Sequence, residues 1–277
     1  MNFGLIIIGD EILSGKRSDK HLGKAIELLS ARGLPLAYAD YVGDDPDRIT
    51  SALQRAFASG DVVFSFGGIG ATPDDHTRQC AARALRRELV LHPQAEKLIR
   101  ERMQDVAREQ GIAYEPDRSD NVHRLNMGVF PTGAQIVPNP FNKIPGFFCS
   151  GGCDPHVGGN RGGIYFLPGF PVMAHPMMEW VLDTHFADQF VTGAWIEQSV
   201  IVFGAMEATL TPLMQAIERD HAVKVFSLPS VDHPEYGRHI ELGVKGLPQA
   251  VTPAYAALLS GLHAYSAQLG PELVRMQ

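Results

Sequence analysis

The sequence predicts an α/β protein in which a mostly parallel sheet carries helices on both faces, in three layers, followed by a small α+β domain. Over the first two thirds of the chain, short apolar runs alternate with segments of helical periodicity. Such alternation with short connections is typical of parallel sheets with right-handed crossovers. A shift in composition near Ala187–Gly193 separates residues 1–187 from residues 188–277.

The first domain is expected to open with three strand and helix pairs. The predicted strands are Phe3–Ile8, Leu36–Val42 and Asp61–Phe66. The predicted helices between and after them are Lys20–Arg32, Arg48–Ser59 and Asp75–Arg87. The third strand carries Val62, Val63, Phe64 and Phe66, which are too uniformly apolar for a half-exposed strand and favour one buried on both faces of the sheet.

The remainder of the first domain is less regular. An amphipathic helix is expected over Gln94–Gln110, and a stretch rich in proline and glycine extends from residue 111 to residue 163. A short apolar strand at Ile164–Leu167 precedes a helix that reaches about His185. The second domain is predicted to contain strands Glu197–Phe203, Ala222–Leu228 and Arg238–Val244 and helices Met206–Arg219 and Val251–Leu269.

Composition favours small-molecule chemistry. The 277 residues include 45% hydrophobic and 20% charged residues, and the formal net charge is −7 without a run of lysine or arginine. Nucleic acid and anionic membranes are therefore not the expected partners. No stretch approaches the roughly 20 continuous apolar residues of a membrane span. Three cysteines do not suggest a disulfide framework, and the first residues lack the features of a signal peptide, so we expect a cytoplasmic protein.

Loops rich in glycine and acidic residues follow three successive predicted strands. They cover residues 9–15, 43–46 and 67–77. Because the carboxyl ends of parallel strands lie at one edge of a sheet, we expect these loops to form one pocket. Glycines let backbone N–H groups turn toward an anion, and a divalent cation would offset the carboxylates.

The acidic residues of these loops have two interpretations. Asp74 or Asp75 is either the N-cap of the third helix or part of a chemical site. Asp45, which precedes Pro46, is predicted to cap a helix. Asp44 lies one residue nearer the strand and is expected to point into the pocket.

A cysteine and histidine segment invites a metal-site interpretation. Cys149, Cys153 and His156 lie within eight positions, but no second pair with matching spacing follows. We therefore interpret residues 149–163 as a glycine-rich surface excursion near the pocket rim.

Taken together, the motifs resemble the molybdopterin-binding domain family, and within it the N-terminal region of competence/damage-inducible CinA-like proteins. The resemblance rests on residues 9–15, 42–45 and 67–77 and on Leu167–Pro171, in this order, and covers roughly residues 1–185. Residues 197–244 resemble the small α+β region that follows this domain in CinA-like proteins. The amidase domain of longer members is not expected in this chain.

This resemblance implies binding of a pterin or nucleotide that carries phosphate. It suggests metal-dependent hydrolysis of a pyrophosphate such as that of ADP-ribose. A molybdopterin adenylyltransferase role in molybdenum cofactor biosynthesis and noncatalytic binding are the alternatives. By resemblance the implied cofactor is a divalent metal, with Mg²⁺ as the first choice, molybdopterin is a further candidate ligand, and a homo-oligomer is expected.

The resemblance also assigns roles to individual residues. Asp44 and Asp75 are the predicted catalytic pair, and Asp74 and Asp75 are the predicted metal ligands. The predicted substrate and phosphate contacts are Gly9, Asp10, Glu11, Gly67, Gly68, Gly70, Thr72, Pro168 and Gly169.

Three positions depart from the pattern of the family. Met173 occupies the place of a usual glutamate, His21 lies near the place of a usual asparagine, and Ala71 replaces a common proline. A thioether in place of a carboxylate can change the ligand or remove turnover, which keeps a noncatalytic binding protein among the alternatives.

Overall fold

The computed structural model describes residues 2–151, 162–190 and 195–276. Contacts within the chain divide it into two compact units. The first comprises Met1–Ser30 with Leu34–Phe190, and the second comprises Ala31–Gly33 with Val191–Gln277. Cys153, His156 and most of the glycine-rich excursion lie outside the described residues.

A six-stranded mixed sheet forms the centre of the first unit. The strands of this unit are β1 Phe3–Ile8, β2 Leu36–Val42, β3 Val62–Phe66, β4 Leu89–Leu91, β5 Val129–Pro131, β6 Gln135–Val137, β7 Gly146–Cys149 and β8 Gly163–Leu167. The order in the large sheet is β2-β1-β3-β8-β7-β6, and β4 pairs separately with β5. Strands β2, β1, β3 and β8 are mutually parallel, whereas β7 runs antiparallel to its neighbours.

Helices cover both faces of this sheet. They are α1 Asp10–Leu13, α2 His21–Ser30, α3 Pro46–Ser59, α4 Thr77–Leu85, α5 Pro93–Glu109, α6 Ser119–Arg124 and α7 Pro171–His185. Neighbouring residues on β1 point to opposite faces: Leu5 packs with Leu28 of α2 and Val181 of α7, and Ile6 packs in the core that contains Leu53 of α3. The predicted three-layer α/β class is confirmed.

The second unit is a four-stranded antiparallel sheet with two helices. Its elements are β9 Ile196–Phe203, α8 Glu207–Asp220, β10 Lys224–His233, β11 Gly237–Gly246, α9 Pro248–Ala264 and β12 Gln268–Met276. Strand order is β10-β11-β9-β12. Leu210 of α8 and Leu258 of α9 are buried against Val202 and Leu242 of the sheet, as expected for an α+β domain. None of the described helices is both long enough and apolar enough to cross a membrane.

Several element boundaries differ from the sequence-based expectation. The predicted closing helix ends at Ala264, and residues 268–276 form β12 instead. Strands β6 and β7 lie within the stretch predicted to be irregular, because runs of three or four residues between prolines carry almost no periodic signal. The third helix begins at Thr77 rather than at Asp75.

Side-chain caps fix where two helices begin. Asp45 accepts a hydrogen bond from Arg48 N–H at 2.8 Å at the start of α3, which confirms its predicted capping role. Asp19 accepts from the N–H groups of His21 and Leu22 at 2.8 and 3.0 Å at the start of α2. Helices α2 and α3 therefore begin only after the loops that follow β1 and β2.

Strand register brings four loops together. Ile8 of β1 lies beside Val42 of β2, Ile7 lies beside Phe66 of β3, and Phe66 lies beside Leu167 of β8. The four parallel strands therefore end at the same level. The loops that begin at residues 9, 43, 67 and 168 all leave from this edge.

Candidate functional site

Loops at the carboxyl edge of the large sheet enclose a cavity of about 430 Å³. This volume lies in the range of about 300–1,000 Å³ that is typical of small-molecule sites. Its lining combines glycine backbone and carboxylates with the apolar side chains of Ile12, Phe66, Ile144, Phe170 and Met173. The cavity therefore offers both polar and apolar contacts to a ligand.

Reciprocal hydrogen bonds join the first and second loops. Asp10 N–H donates to Asp44 Oδ2 at 2.9 Å, and Asp44 N–H donates to Asp10 Oδ1 at 3.2 Å. Gly43 permits this approach, because a Cβ there would lie 2.4 Å from Asp10 Oδ1. The Asp10 side chain therefore faces the second loop, and it lines a neighbouring groove with Tyr41 and Arg48.

Asp44 lies in a cluster of acidic side chains. Burial raises the pKa of its carboxyl group, and the negative charges of Asp10, Glu11 and Asp74 raise it as well, against the lowering effect of the Asp10 N–H bond. The pKa of the exposed Asp74 is lowered, chiefly by the nearby Thr72 hydroxyl. Mutual repulsion among these acids would be relieved by a bound cation.

The loop after β3 begins with two glycines whose φ angles are 102° at Gly67 and 66° at Gly68. A Cβ at residue 67 would lie 2.4 Å from the Ile8 carbonyl oxygen, and one at residue 68 would lie 2.1 Å from Thr77 Oγ1. Gly67 N–H donates to the Leu167 carbonyl, and the Thr77 hydroxyl donates to the Gly67 carbonyl, both at 3.0 Å. Only glycine fits both positions without displacing these neighbours.

The Asp75 carboxylate is held by its own loop. Asp75 Oδ2 accepts hydrogen bonds from Thr72 N–H at 2.8 Å and from the Thr72 hydroxyl at 2.5 Å. A Cβ at Gly70 would lie 2.6 Å from the same oxygen. His76 occupies the N-cap position of α4, so neither Asp74 nor Asp75 serves as that cap. Asp75 therefore shapes the loop as well as lining the cavity.

A buried arginine lies behind this loop. Arg78 is 4% exposed, and its guanidinium donates to the Gly70 carbonyl at 2.5 Å and to the Asn126 carbonyl. Burial lowers the pKa of Arg78, while the negative charge of Asp75 raises it. Arg78 thus fastens the glycine loop to the 3-10 turn Leu125–Gly128 and places a positive charge near Asp75.

A histidine contributes to the lining of the cavity. The rings of His21 and Phe66 stack with centroids 4.5 Å apart, and His21 Nε2 lies 3.2 Å from the Gly169 carbonyl oxygen. Burial lowers the pKa of His21, which favours the neutral imidazole. A neutral ring with Nε2 protonated would donate to the Gly169 carbonyl and hold the fourth loop against α2.

Met173 has a polar partner in the structure. Asn142 Nδ2 donates to Met173 Sδ at 3.2 Å, and Asn139 Nδ2 donates to Asn142 Oδ1 at 2.8 Å. All three residues line the cavity. The Met173 thioether therefore receives an amide N–H but brings no charge to the cavity.

The structure brings the predicted site residues together with one exception. The predicted residues that line the cavity are Gly9, Glu11, Asp44, Gly67, Gly68, Gly70, Thr72, Asp74, Asp75, Pro168 and Gly169. Asp10 bonds to Asp44 from the neighbouring groove. Sequence reasoning missed Arg17, Asn142 and Ile144. For Arg17 the sequence offers one signal, the glycine at position 15. Gly15 has a φ of 72° and turns the chain back toward the first loop.

The acidic side chains of the cavity supply only some of the ligands that a divalent cation requires. Within the described residues, no group of three or more His, Cys, Asp or Glu side chains could hold a metal ion by itself. Mg²⁺, however, is commonly held by one or two carboxylates together with water and substrate phosphates. The repulsive acid cluster around Asp44 fits a cation of this kind, with further oxygen ligands from a bound phosphate.

Most of the first unit matches a known protein family. Residues 4–187 match the family described as "Probable molybdopterin binding domain". A protein of Caldivirga maquilingensis is 30% identical over 223 residues, which cover 80% of this chain and 78% of that protein. A CinA-like protein of Syntrophotalea carbinolica is 31% identical over 174 residues, which cover 62% of this chain but only 37% of that relative.

A solved structure shares the fold. It is that of the protein CinA, of unknown function, from Thermoplasma acidophilum, with 25% sequence identity and a TM-score of 0.52. The match covers 66% of this chain and 96% of the solved chain. The similarity therefore concerns a domain-sized part of this protein.

The contacts of Gly67 generate a prediction about stability. Gly67→Ala should lower the free energy of unfolding by about 1–2 kcal/mol for the backbone conformation and by about 1–3 kcal/mol more for the clash with Ile8. The matched control is Gly60→Ala, since Gly60 has a φ of 74° but no atom within 4 Å of the place that a Cβ would take. Urea unfolding measures the free energy of unfolding of both variants. Equal losses in the two would contradict the clash between a side chain at residue 67 and Ile8.

The acid cluster generates a prediction about titration. Carbon-13 NMR should find the Asp44 pKa above that of an ordinary aspartate, and Glu11→Gln should lower it by removing a repelling charge, whereas the distant Glu101→Gln should not. Because the folded pKa exceeds the unfolded one, this group makes the free energy of unfolding fall as pH rises through that interval. An Asp44 pKa that is unchanged in Glu11→Gln would contradict the proposed coupling.

Proposed function

Because this chain belongs to the family of probable molybdopterin-binding domains, we propose that its cavity binds a phosphate-bearing nucleotide or pterin and hydrolyses a pyrophosphate bond in an ADP-ribose-like ligand. The observation that carries the proposal is the meeting of a glycine loop and an acid cluster in one cavity. Glycine backbone suits phosphate oxygens, and clustered carboxylates suit a cation that neutralises them.

Asp74 and Asp75 would hold the divalent cation of this reaction. Both belong to the glycine loop, and the negative charge of Asp74 acts on Asp44 across the cavity. The cation would neutralise phosphate charge and polarise the phosphorus. Thr72 fixes the orientation of Asp75 through two hydrogen bonds to one of its oxygens.

Asp44 would accept the proton of the attacking water. Burial, the largest cause of the raised pKa of Asp44, does not depend on the cation and favours uptake of a proton by this carboxylate. The water oxygen forms a bond to one phosphorus, the bond from that phosphorus to the bridging oxygen breaks, and the leaving phosphate takes the electron pair. Asp10 supports this role, because its backbone N–H donates to Asp44 Oδ2 and fixes the carboxylate.

Three further features stay predictions. Self-association of the chain and molybdopterin as a ligand come from the resemblance alone, and a cytoplasmic location comes from the cysteine count and the first residues of the sequence. The CinA-like relative is longer than this chain, so activities of its other parts are not included in the proposal.

Turnover measurements test the proposed hydrolysis. Wild-type protein with Mg²⁺ is expected to hydrolyse ADP-ribose, and Asp44→Asn is expected to lower kcat/KM by about 10²–10⁴-fold, the usual contribution of a general base. Asp75→Asn should lower turnover as well and should weaken Mg²⁺ dependence. Asp232→Asn, on β10 of the second unit, is the matched control and should retain wild-type turnover.

Two outcomes would contradict hydrolysis in different ways. Binding of nucleotide or pterin without turnover would make the protein a binding protein. Consumption of ATP together with molybdopterin, without hydrolysis of ADP-ribose, would favour the adenylyltransferase alternative.

A further inference from the structure

The cavity is lined by four carboxylates but by little positive charge. Glu11, Asp44, Asp74 and Asp75 face it, and among its described lining residues Arg17 is the only lysine or arginine. A pyrophosphate ligand adds negative charge to this set. An anionic ligand that enters the cavity is therefore repelled by the carboxylates and attracted by Arg17.

The backbone of Arg17 is fixed although its side chain is exposed. Arg17 N–H donates to the Glu11 carbonyl at 2.9 Å. The preceding turn is closed by bonds from Ser14 N–H to the Asp10 carbonyl at 2.8 Å and from Gly15 N–H to the Ile12 carbonyl at 3.1 Å. These bonds fold the segment after β1 back on itself, so that residue 17 lies at the cavity beside Glu11.

Among the described residues, no ion pair within 4 Å joins the Arg17 guanidinium to a carboxylate of the cavity. An arginine keeps its positive charge and offers planar N–H groups that match two phosphate oxygens. Its side chain therefore stays available to a ligand.

We propose that Arg17 binds a phosphate group of the ligand and gives the cavity its preference for diphosphate compounds. This inference rests on the proposed phosphate-binding function of the cavity. Arg17 belongs to the loop after β1 and the glycines belong to the loop after β3, two strands that pair directly. Two phosphates can therefore be held from two neighbouring loops, whereas an unphosphorylated nucleoside uses neither.

Calorimetric binding of ADP-ribose and adenosine to the full chain, with Mg²⁺, tests this role. Arg17→Ala should weaken ADP-ribose binding about tenfold or more, the scale of a charged hydrogen bond, and should leave adenosine binding unchanged. Arg17→Lys should restore part of the affinity, since it keeps the charge but loses the planar fork. Lys16→Ala is the matched control, because Lys16 is also exposed but does not line the cavity.

The outcomes separate this inference from the proposed function. If Arg17→Ala prefers ADP-ribose over adenosine as strongly as the wild type does, the role of Arg17 is overturned but the proposed function is not. No wild-type preference for ADP-ribose over adenosine overturns both proposals. Equal weakening of ADP-ribose and adenosine in Arg17→Ala, or a lowered melting temperature of that variant, would show a structural role instead of phosphate binding.

Discussion

The site depends on the close approach of the Gly67 backbone to the end of β1. The Ile8 carbonyl oxygen occupies the space where a side chain at residue 67 would begin, 2.4 Å from the Cβ position. This contact lets the loop after β3 turn across the end of β1 and lie against Leu167 of β8. The loops after three parallel strands are consequently close enough to share one ligand.

Charge is distributed unevenly around the cavity that results. Burial raises the pKa of Asp44, and the negative charges of carboxylates from the first and third loops raise it further. The buried Arg78 compensates from behind the glycine loop, where it bonds to the Gly70 carbonyl and stays close to Asp75. A folded site that concentrates like charges in this way is suited to a cation and a phosphate that arrive together.

Much of this arrangement follows from local sequence. Strand β3 is apolar at nearly every position, and the glycines after it indicate a turn, so both the sheet and the loop edge were predictable. The cap at Asp45 was equally predictable, since a proline follows it. Asp75 was harder to interpret, because only the structure shows that its carboxylate bonds to Thr72 and that His76 precedes α4.

Other features depend on contacts between distant segments. The position of the Asp10 side chain is set by Asp44, 34 residues away. Asn142 reaches the cavity from a stretch without periodic pattern and meets Met173. Strand β12 was missed because helix α9 ends earlier than its apolar pattern suggests. Single-sequence reasoning has no access to such pairings.

Backbone amide NMR with added ADP-ribose and Mg²⁺ tests most directly whether this cavity is a phosphate-ligand site. If it is, chemical-shift changes will concentrate in residues 9–17, 43–45, 67–75 and 168–173, which are the loops around the cavity and the start of α7. Shift changes centred on the second unit, or none at ligand concentrations in the millimolar range, would contradict that assignment.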